Sequence, residues 1–471
     1  MNKINEHDFS ALYDMSSGIS TTKAQAGHGS PFVSFGTVFN NYFLPDELSD
    51  LMDTSEKEKE IYSVKKGDIL LTRTSETVDE LAMSCVALKD YSNATFSGFT
   101  KRLRPKPKPK GKRIAYHKYL GFYLRSYLFR QAVTNHSLMT LRSSFNEEIF
   151  ALLKLYLPGY DQQVKIGDFL YAIDRKIALN DAINTELEKM AKLIYDYWFV
   201  QFDFPDAEGK PYCTSGGEMV WNEQLKREIP KGWKIDRLDK KMNMQRGVEP
   251  GSNAYSELIT DTETVPFIRV NNLGCDPALY ISPKAANGTN CMPNNVLVSF
   301  DGSVGKMAIA MEGAYSSGIR KITPKDSSYS DALIYFIFQS EEIQKTISKY
   351  AVGSNILHAA GAIEHLLFPY NDRIVRDFMK KIEPMYKKIV ANYLQNKELT
   401  TLRDFLLPLL MNGQVTVGDI KKKAAVTPLK TVAGDDAKYK EWKTQAGIAA
   451  RGGIDEQTLR NIYEAMDTND R

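Results

Sequence analysis

The sequence predicts an α+β chain, in which two α/β globules related by a pseudo-twofold repeat are separated by two long antiparallel coiled-coil helices. Three observations predict it. The chain has 471 residues, more than one hydrophobic core usually fills. Short motifs recur in the same order in its two halves. Each half then runs into a stretch whose apolar residues keep an alternating four-and-three spacing, the signature of a long packed helix.

The repeat opens with Met15 to Ile19 followed by Pro31-Phe32-Val33, matched by Met244 to Val248 followed by Pro266-Phe267-Ile268. The strand-like run Gly67 to Thr72 has a counterpart in Asn294 to Ser299. Ser97-Gly98 and the basic run after it match Ser317-Gly318, Arg320, Lys321 and Lys325 with a one-residue gap. An aromatic helical stretch from Tyr119 to Phe129 corresponds to Leu333 to Ile343, and Leu157-Pro158 to Phe368-Pro369. The predicted division is a first globule over 1–160, a first long helix over 161–203, a connector rich in turn-formers over 204–234, a second globule over 235–370, a second long helix over 371–413 and a tail over 414–471. Within the tail, Lys421-Lys422-Lys423 opens a basic linker, and a short docking helix is expected over Asp455–Met466.

In the first long helix the spacing runs Ile166, Leu170, Ile173, Ile177, Asn180, Asn184, Leu187, Ala191, Ile194 and Trp198. In the second it runs Phe378, Ile382, Met385, Ile389, Asn392, Asn396, Leu399, Arg403, Leu406 and Leu410, with no gap needed to align the two. A polar residue at such a position lowers stability and fixes register. If the helices pair antiparallel about an axis near their midpoints, Asn180 faces Asn396 and Asn184 faces Asn392; the alternative is that these residues sit just outside the seam, in solvent. Two features break the pattern: Pro384 should kink or begin the second helix, and Arg403 stands where an apolar residue belongs. Pro408 marks the expected frayed end.

Composition narrows the function. A hydrophobic fraction of 43% and a charged fraction of 25% exclude a mainly disordered chain. The net charge of +3, from 61 basic and 58 acidic residues, shows no global polyanion-binding surface, so any nucleic-acid contact must be local. The N-terminal stretch carries no apolar core of signal-peptide length and no segment approaches a membrane span, which predicts a cytoplasmic protein without membrane contact. Cys85, Cys213, Cys275 and Cys291 lie far apart without a CxxC and are expected to be free thiols.

Catalytic motifs are not found. His358 and His365 lack the spacing of a helical metal pair, and no metal or cofactor is implied. Asp301-Gly302-Ser303-Val304-Gly305-Lys306 lacks the spacing of a phosphate loop and reads as a turn, and Gly27-His28-Gly29 is too short for a dinucleotide fingerprint. No Asn-Pro-Pro-Tyr or Asp-Pro-Pro-Tyr box is present. The pattern is that of a reader rather than a catalyst. Its strongest charge feature is the run Lys101, Arg102, Arg104, Lys106, Lys108, Lys110, Lys112 and Arg113, which interleaved prolines keep extended, a shape suited to tracking a phosphate backbone. As a bland alternative, the run is a solvated loop. Recurrence of Arg320, Lys321 and Lys325 favours two basic faces, and Arg73 joins Lys101, Arg102, Arg104 and Lys106 in the first as candidate DNA contacts. A paired helix from Ile166 to Trp198 would be about 50 Å long, enough to set two contacts one or more turns of DNA apart.

These residues resemble a known family, the specificity subunits of type I restriction-modification systems. The resemblance rests on Lys176 to Glu188, on Leu193 to Pro205, on Ser215 to Asn222 with Ile229 to Trp233, and on Leu406 to Val415. It implies that the globules are target-recognition domains, each reading half of a bipartite double-stranded DNA sequence. It also implies that the conserved helices bind two methylation subunits, with Tyr195, Trp198, Phe199 and Leu406 as subunit contacts, and that restriction subunits join to form an ATP-dependent nuclease. Methylation with S-adenosylmethionine would belong to the partners, and this chain would not itself be an enzyme. One departure is that the first half has no counterpart of Ile229 to Trp233. The alternatives are a self-contained DNA methyltransferase or nuclease with degenerate motifs, and a scaffold that binds no DNA.

Overall fold

The computed structural model describes residues 4–74, 80–107, 113–137, 144–256, 264–354 and 356–418. Lys108, Lys110, Lys112 and the tail from residue 419, with its expected basic linker and docking helix, lie outside the described residues. The described residues divide into two compact units, and each takes a part of both long helices: unit 1 holds those up to 176 and 399–418, and unit 2 those within 177–398. Among the described residues no helix is long and apolar enough to cross a membrane.

In chain order, the first globule comprises β1 (Asn5–Asp8), α1 (Phe9–Leu12), β2 (Tyr13–Ser17), β3 (Ala26–Val33), α2 (Phe35–Asn40), β4 (Leu51–Met52), α3 (Glu56–Ile61), β5 (Ile69–Thr72), β6 (Ser84–Val86), β7 (Thr95–Phe96), β8 (Thr100–Pro105), α4 (His117–Tyr123), α5 (Tyr127–Ser137), α6 (Glu147–Leu152) and β9 (Lys154–Leu157). The long helix α7 (Tyr160–Tyr195) follows and ends in a π-helical turn, Asp196–Val200. A hairpin of β10 (Met219–Asn222) and β11 (Arg227–Pro230) leads to β12 (Lys234–Arg237), α8 (Leu238–Lys241), β13 (Met242–Arg246), β14 (Val265–Ile268), β15 (Leu279–Ile281), α9 (Pro283–Ala286), β16 (Val296–Ser299), β17 (Met307–Ala308), β18 (Ala314–Tyr315), β19 (Ile319–Pro324), α10 (Asp331–Gln339), α11 (Glu341–Lys349), β20 (Leu367–Tyr370) and the second long helix, α12 (Asp372–Met411).

The two globules are built alike. The sheet order β2-β8-β5-β6 in the first is repeated as β13-β19-β16-β17 in the second, β4-β3-β7 as β15-β14-β18, and the β1-β9 pair as the β12-β20 pair. β1 supplies the first globule with its outer strand; among the sheets of the described residues, the β10-β11 hairpin lacks a counterpart. Strand pairing also corrects two alignments read from the sequence. Met15 pairs with Leu103 as Met244 pairs with Ile322, and Thr72 with Thr100 as Ser299 with Ile319. Ser97–Pro105 therefore matches Ser316–Pro324 with no gap, and the Ser-Gly identity that suggested one is out of register. Leu157 corresponds to Tyr370 and not to Phe368, since Asn5 pairs with Leu157 where Lys234 pairs with Tyr370.

Alternation along the central strand explains the layers. In β16, Val296 and Val298 pack with Ile322 and the residues of α10, whereas Leu297 points the other way, into a layer with Ile268, Cys291 and Ile319. Because both faces are covered, all four residues of β16 are buried. α10 is apolar all round, with Ala332 to Phe338 buried, as expected of a helix sealed on every side.

The first residue of that helix is a cost. Asp331 Oδ1 is buried without a hydrogen-bond partner among the described residues, and burial pushes its carboxyl up to about 6. A carboxyl whose folded pKa exceeds its unfolded one favours the fold while protonated; that contribution is whole below about pH 4 and is lost as pH rises through about 6. Asp331→Asn should therefore gain on wild type between pH 4 and pH 7, on the order of 1 kcal/mol given the screening of a part-exposed group. Denaturation series at the two pH values check this, and a difference that is the same at both would refute it.

The long helices also depart from expectation. α12 runs unbroken through Pro384 and begins a dozen residues before it, at Asp372. Packing of its apolar residues Ile382, Tyr386 and Ile389 into the unit 2 core stabilises the helix across the missing N–H. It also continues past Pro408 to Met411.

Candidate functional site

Three groups of residues carry the functional expectations: the basic strand ends, the asparagines of the long helices, and the aromatic end of α7. Each is best read from its local geometry.

The basic positions of β8 and β19 recur, and so do their contacts inside each globule. Lys106 Nζ donates to the Ser10 carbonyl (2.8 Å) and Lys325 Nζ to that of Asp239 (2.9 Å), while their backbone N–H groups reach Leu12 O and Lys241 O. Both lysines thus satisfy orphan carbonyls of a four-residue helix, α1 or α8. Arg102 Nη1 donates to Ser63 O (2.6 Å), and its register mate Lys321 donates to Asn290 O (2.7 Å). Arg104 makes a two-pronged bond to Asp68, Nε to Oδ1 at 2.8 Å and Nη2 to Oδ2 at 2.6 Å.

Lys101 and Arg320 share one register position, and each is only 8% exposed, as is Arg102. Lys101 Nζ donates to Ser17 Oγ at 2.9 Å; Arg320 Nη1 and Arg246 Nε both donate to the Ser317 carbonyl, at 2.9 and 3.2 Å. Burial, then the neighbouring Arg73, holds the Lys101 ammonium below the usual lysine range. Burial, then Arg246, does the same to the Arg320 guanidinium. The recurrence of basic residues thus has an explanation inside the fold. Arg73 and Arg246, beside Lys101 and Arg320, are exposed.

Within unit 2, the asparagines form a buried network. Asn180 Nδ2 donates to Asn396 Oδ1 at 2.8 Å, and Asn392 Nδ2 donates to Asn184 Oδ1 at 2.8 Å. Asn396 Nδ2 reaches Ile177 O and Asn184 Nδ2 reaches Ile389 O, each at 3.3 Å, so the exchange has local twofold symmetry. Gln395 Oε1, accepting from Asn180, and Asp181 Oδ1, accepting from Asn396, break that symmetry. These pairings set the unit 2 parts of α7 and α12 antiparallel. Within unit 1, Arg403 fills its odd position by bonding Asp174 (3.2 Å) and lying over the Tyr42 ring (5.0 Å).

The side chains expected to meet partner subunits lie inside the chain. Tyr195, Trp198 and Phe199 are buried among Trp233, Phe368 and Phe378 in the unit 2 core, and Leu406 is buried in unit 1. The π-helical turn is the reason that the adjacent Trp198 and Phe199 can both turn inward: its wider turn shifts the helical phase by a residue. The end of α7 and the π-helical turn leave a different row exposed, Met190, Leu193 (71% exposed), Tyr197 and Val200, spaced i, i+3, i+7 and i+10. That spacing is present in the sequence, on a face other than the alternating row that pairs the helices. Phe405, the register mate of Leu193 in α12, is exposed as well.

Comparison with known proteins agrees with this architecture. Residues 17–189 match the family model of the type I restriction modification DNA specificity domain. The chain is 25% identical over 460 residues to the type I restriction enzyme HindI specificity subunit of Haemophilus influenzae, covering 82% of this chain and 94% of that one. It is 25% identical over 389 residues to the MjaIX specificity subunit of Methanocaldococcus jannaschii, covering 79% and 83%. In fold it is similar to the crystal structure of the type I restriction-modification S subunit from M. genitalium, with a TM-score of 0.54 and 14% identity over 87% of this chain and 96% of that one. Repeat architecture, the match of residues 17–189 to a DNA specificity domain model and similarity over four fifths of the chain together make it similar to the type I restriction enzyme specificity subunits.

Proposed function

We propose that this chain is the specificity subunit of a type I restriction-modification complex, reading a bipartite double-stranded DNA target and carrying two methylation subunits, to which restriction subunits join. The observation that supports this most is internal: the domain matched over residues 17–189 recurs, sheet for sheet, in the second globule. One chain then holds two DNA specificity domains of different sequence, which suits two different half-targets. In this reading residues 1–160 and 235–370 recognise DNA, 161–203 and 371–413 form the conserved helices, 204–234 connect them, and 414–471 are a tail. The complex works in the cytoplasm, where its DNA is. Catalysis belongs to the partners, and the chain needs no cofactor of its own.

Phosphate contacts are assigned to the basic clusters, with Arg73 and Lys101 in one globule and Arg320 and Lys325 in the other. Their inward bonds do not exhaust them, because an ammonium has three donors and a guanidinium five. Arg102, Arg104 and Lys106 contribute positive potential while tying the β8 end to the segment before β5 and to α1. The Asn180, Asn184, Asn392 and Asn396 network is assigned the register of the helix pair. Subunit contact passes from the buried aromatics to the exposed row around Leu193 and to Phe405, whose spacing fits a helix laid alongside.

Selection from randomised duplex DNA by the purified chain tests the reading. Bound duplexes should share two short blocks around an unread spacer, with affinity that falls steeply with salt. A single uninterrupted block, or no motif, would overturn it, and methyl transfer by the chain alone would overturn the assignment of catalysis to partners. Leu193→Asp should keep the DNA motif but lower co-purification of the methylation subunit at least tenfold; unchanged co-purification removes the row around Leu193 from the interface.

A further inference from the structure

The same sheet face differs between the two globules. In the first, Arg104 grips Asp68 and Arg102 reaches the carbonyls of Ile61 and Ser63, so both guanidinium groups fold toward the segment before β5. In the second, the register mates of Arg104 and Asp68 are Thr323 and Asn295, and that latch does not form. The face stays open as a shallow cavity of about 450 Å³ lined by Asn243, Met244, Gln245, Lys321 and Thr323.

Register arranges four of these residues as a square. Asn243 pairs with Thr323 and Gln245 with Lys321 across β13 and β19. Alternation puts all four on the outer face, because Met242 and Ile322, one residue along, are buried on the other. β13 is the edge strand, and beyond β19 the outer face is covered where Leu297 of β16 is buried. The open surface is thus two strands wide, the width of the β-ribbon that a DNA major groove admits.

Spacing and chemistry point to the same ligand. Residues two apart on a strand lie about 6.6 Å apart, close to two base-pair steps of about 3.4 Å. Asn and Gln amides match the donor and acceptor pair of an adenine edge, Lys donates to guanine, and the Thr methyl and hydroxyl suit either. Lys321 uses one of its three donors on Asn290 O and keeps the others. We propose that the Asn243, Gln245, Lys321 and Thr323 face reads base edges in one half of the target, a proposal that rests on the DNA-specificity reading above.

The test is selection from randomised duplex DNA with the full-length chain, comparing wild type with Asn243→Ala/Gln245→Ala and with Gln245→Glu. The second variant keeps the size and hydrogen-bonding length of the side chain, so it remains informative if the first fails to fold. Both variants should lose sequence preference at neighbouring positions of one block, keep the other block intact, and bind the wild-type motif about 10- to 100-fold more weakly. A motif identical to wild type in both blocks overturns the proposal while leaving the DNA-specificity reading standing. If wild type itself selects no motif, the reading falls and takes the proposal with it.

Discussion

Gly247→Ala should destabilise unit 2 by about 3 kcal/mol or more, and Gly18→Ala should do the same to unit 1. A Cβ at position 247 would lie 2.1 Å from Ser316 O and 2.3 Å from Tyr315 O; at position 18 it would lie 2.1 Å from Ser97 O and 2.6 Å from Phe96 O. All four obstacles are backbone atoms, so no side chain can swing aside. Both glycines mark the point where the strand after the first short helix crosses the turn entering β8 or β19, and their N–H groups donate to Thr100 O and Ile319 O. Separation of the backbones would break the adjoining bonds of Ile19 to Phe96 and of Val248 to Tyr315. Gly251→Ala is the control, since nothing lies within 4 Å of the new methyl. Urea unfolding that leaves Gly247→Ala within about 0.5 kcal/mol of the control would refute the close-approach account.

Asn392→Ala should cost about 2–3 kcal/mol, because it leaves Asn184 Oδ1 without its donor in a site where the two residues are 2% and 1% exposed. Replacing both members, Asn184→Leu with Asn392→Leu, has a different expected outcome. With no orphaned amide left, the helix pair should be at least as stable as wild type, but its register should loosen, because apolar side chains pack acceptably in more than one alignment. Spin labels at the exposed positions Leu179 and Tyr393, both within unit 2, report this as a broadened distance distribution. A double variant that is less stable yet as sharply registered as wild type would contradict the assigned role.

Much of the architecture was legible because it depends on periodicity. The alternating spacing from Ile166 to Trp198 and from Phe378 to Leu410 locates two long helices, and it places four asparagines at the positions where they meet. Pro384 does not end or begin α12, because packing of the surrounding turns outweighs a missing N–H. Arg403 looked like a defect because its partners, Asp174 and Tyr42, are distant in sequence.

The candidate site was less legible. Charge is visible in a sequence, but the direction of a side chain is not: Lys101, Arg102 and Arg320 are largely buried, and each donates to a group inside its own globule. Aromatic residues near the end of α7 read as a contact surface and form core instead, since a π-helical turn that no spacing rule anticipates rotates Trp198 and Phe199 inward. The exposed row Met190, Leu193, Tyr197 and Val200 required knowing which face of α7 was already covered.

By itself, then, the sequence determined the repeat, the two long helices and the family resemblance, since these rest on residue order and period, which survive without coordinates. Only the tertiary structure decided the strand register, and with it which basic residues are tied down, which sheet face is latched by Arg104 and Asp68, and which is left open around Asn243 and Gln245. The physical reason is that a one-residue shift in register moves every side chain of a strand to the opposite face, while leaving composition and periodicity unchanged.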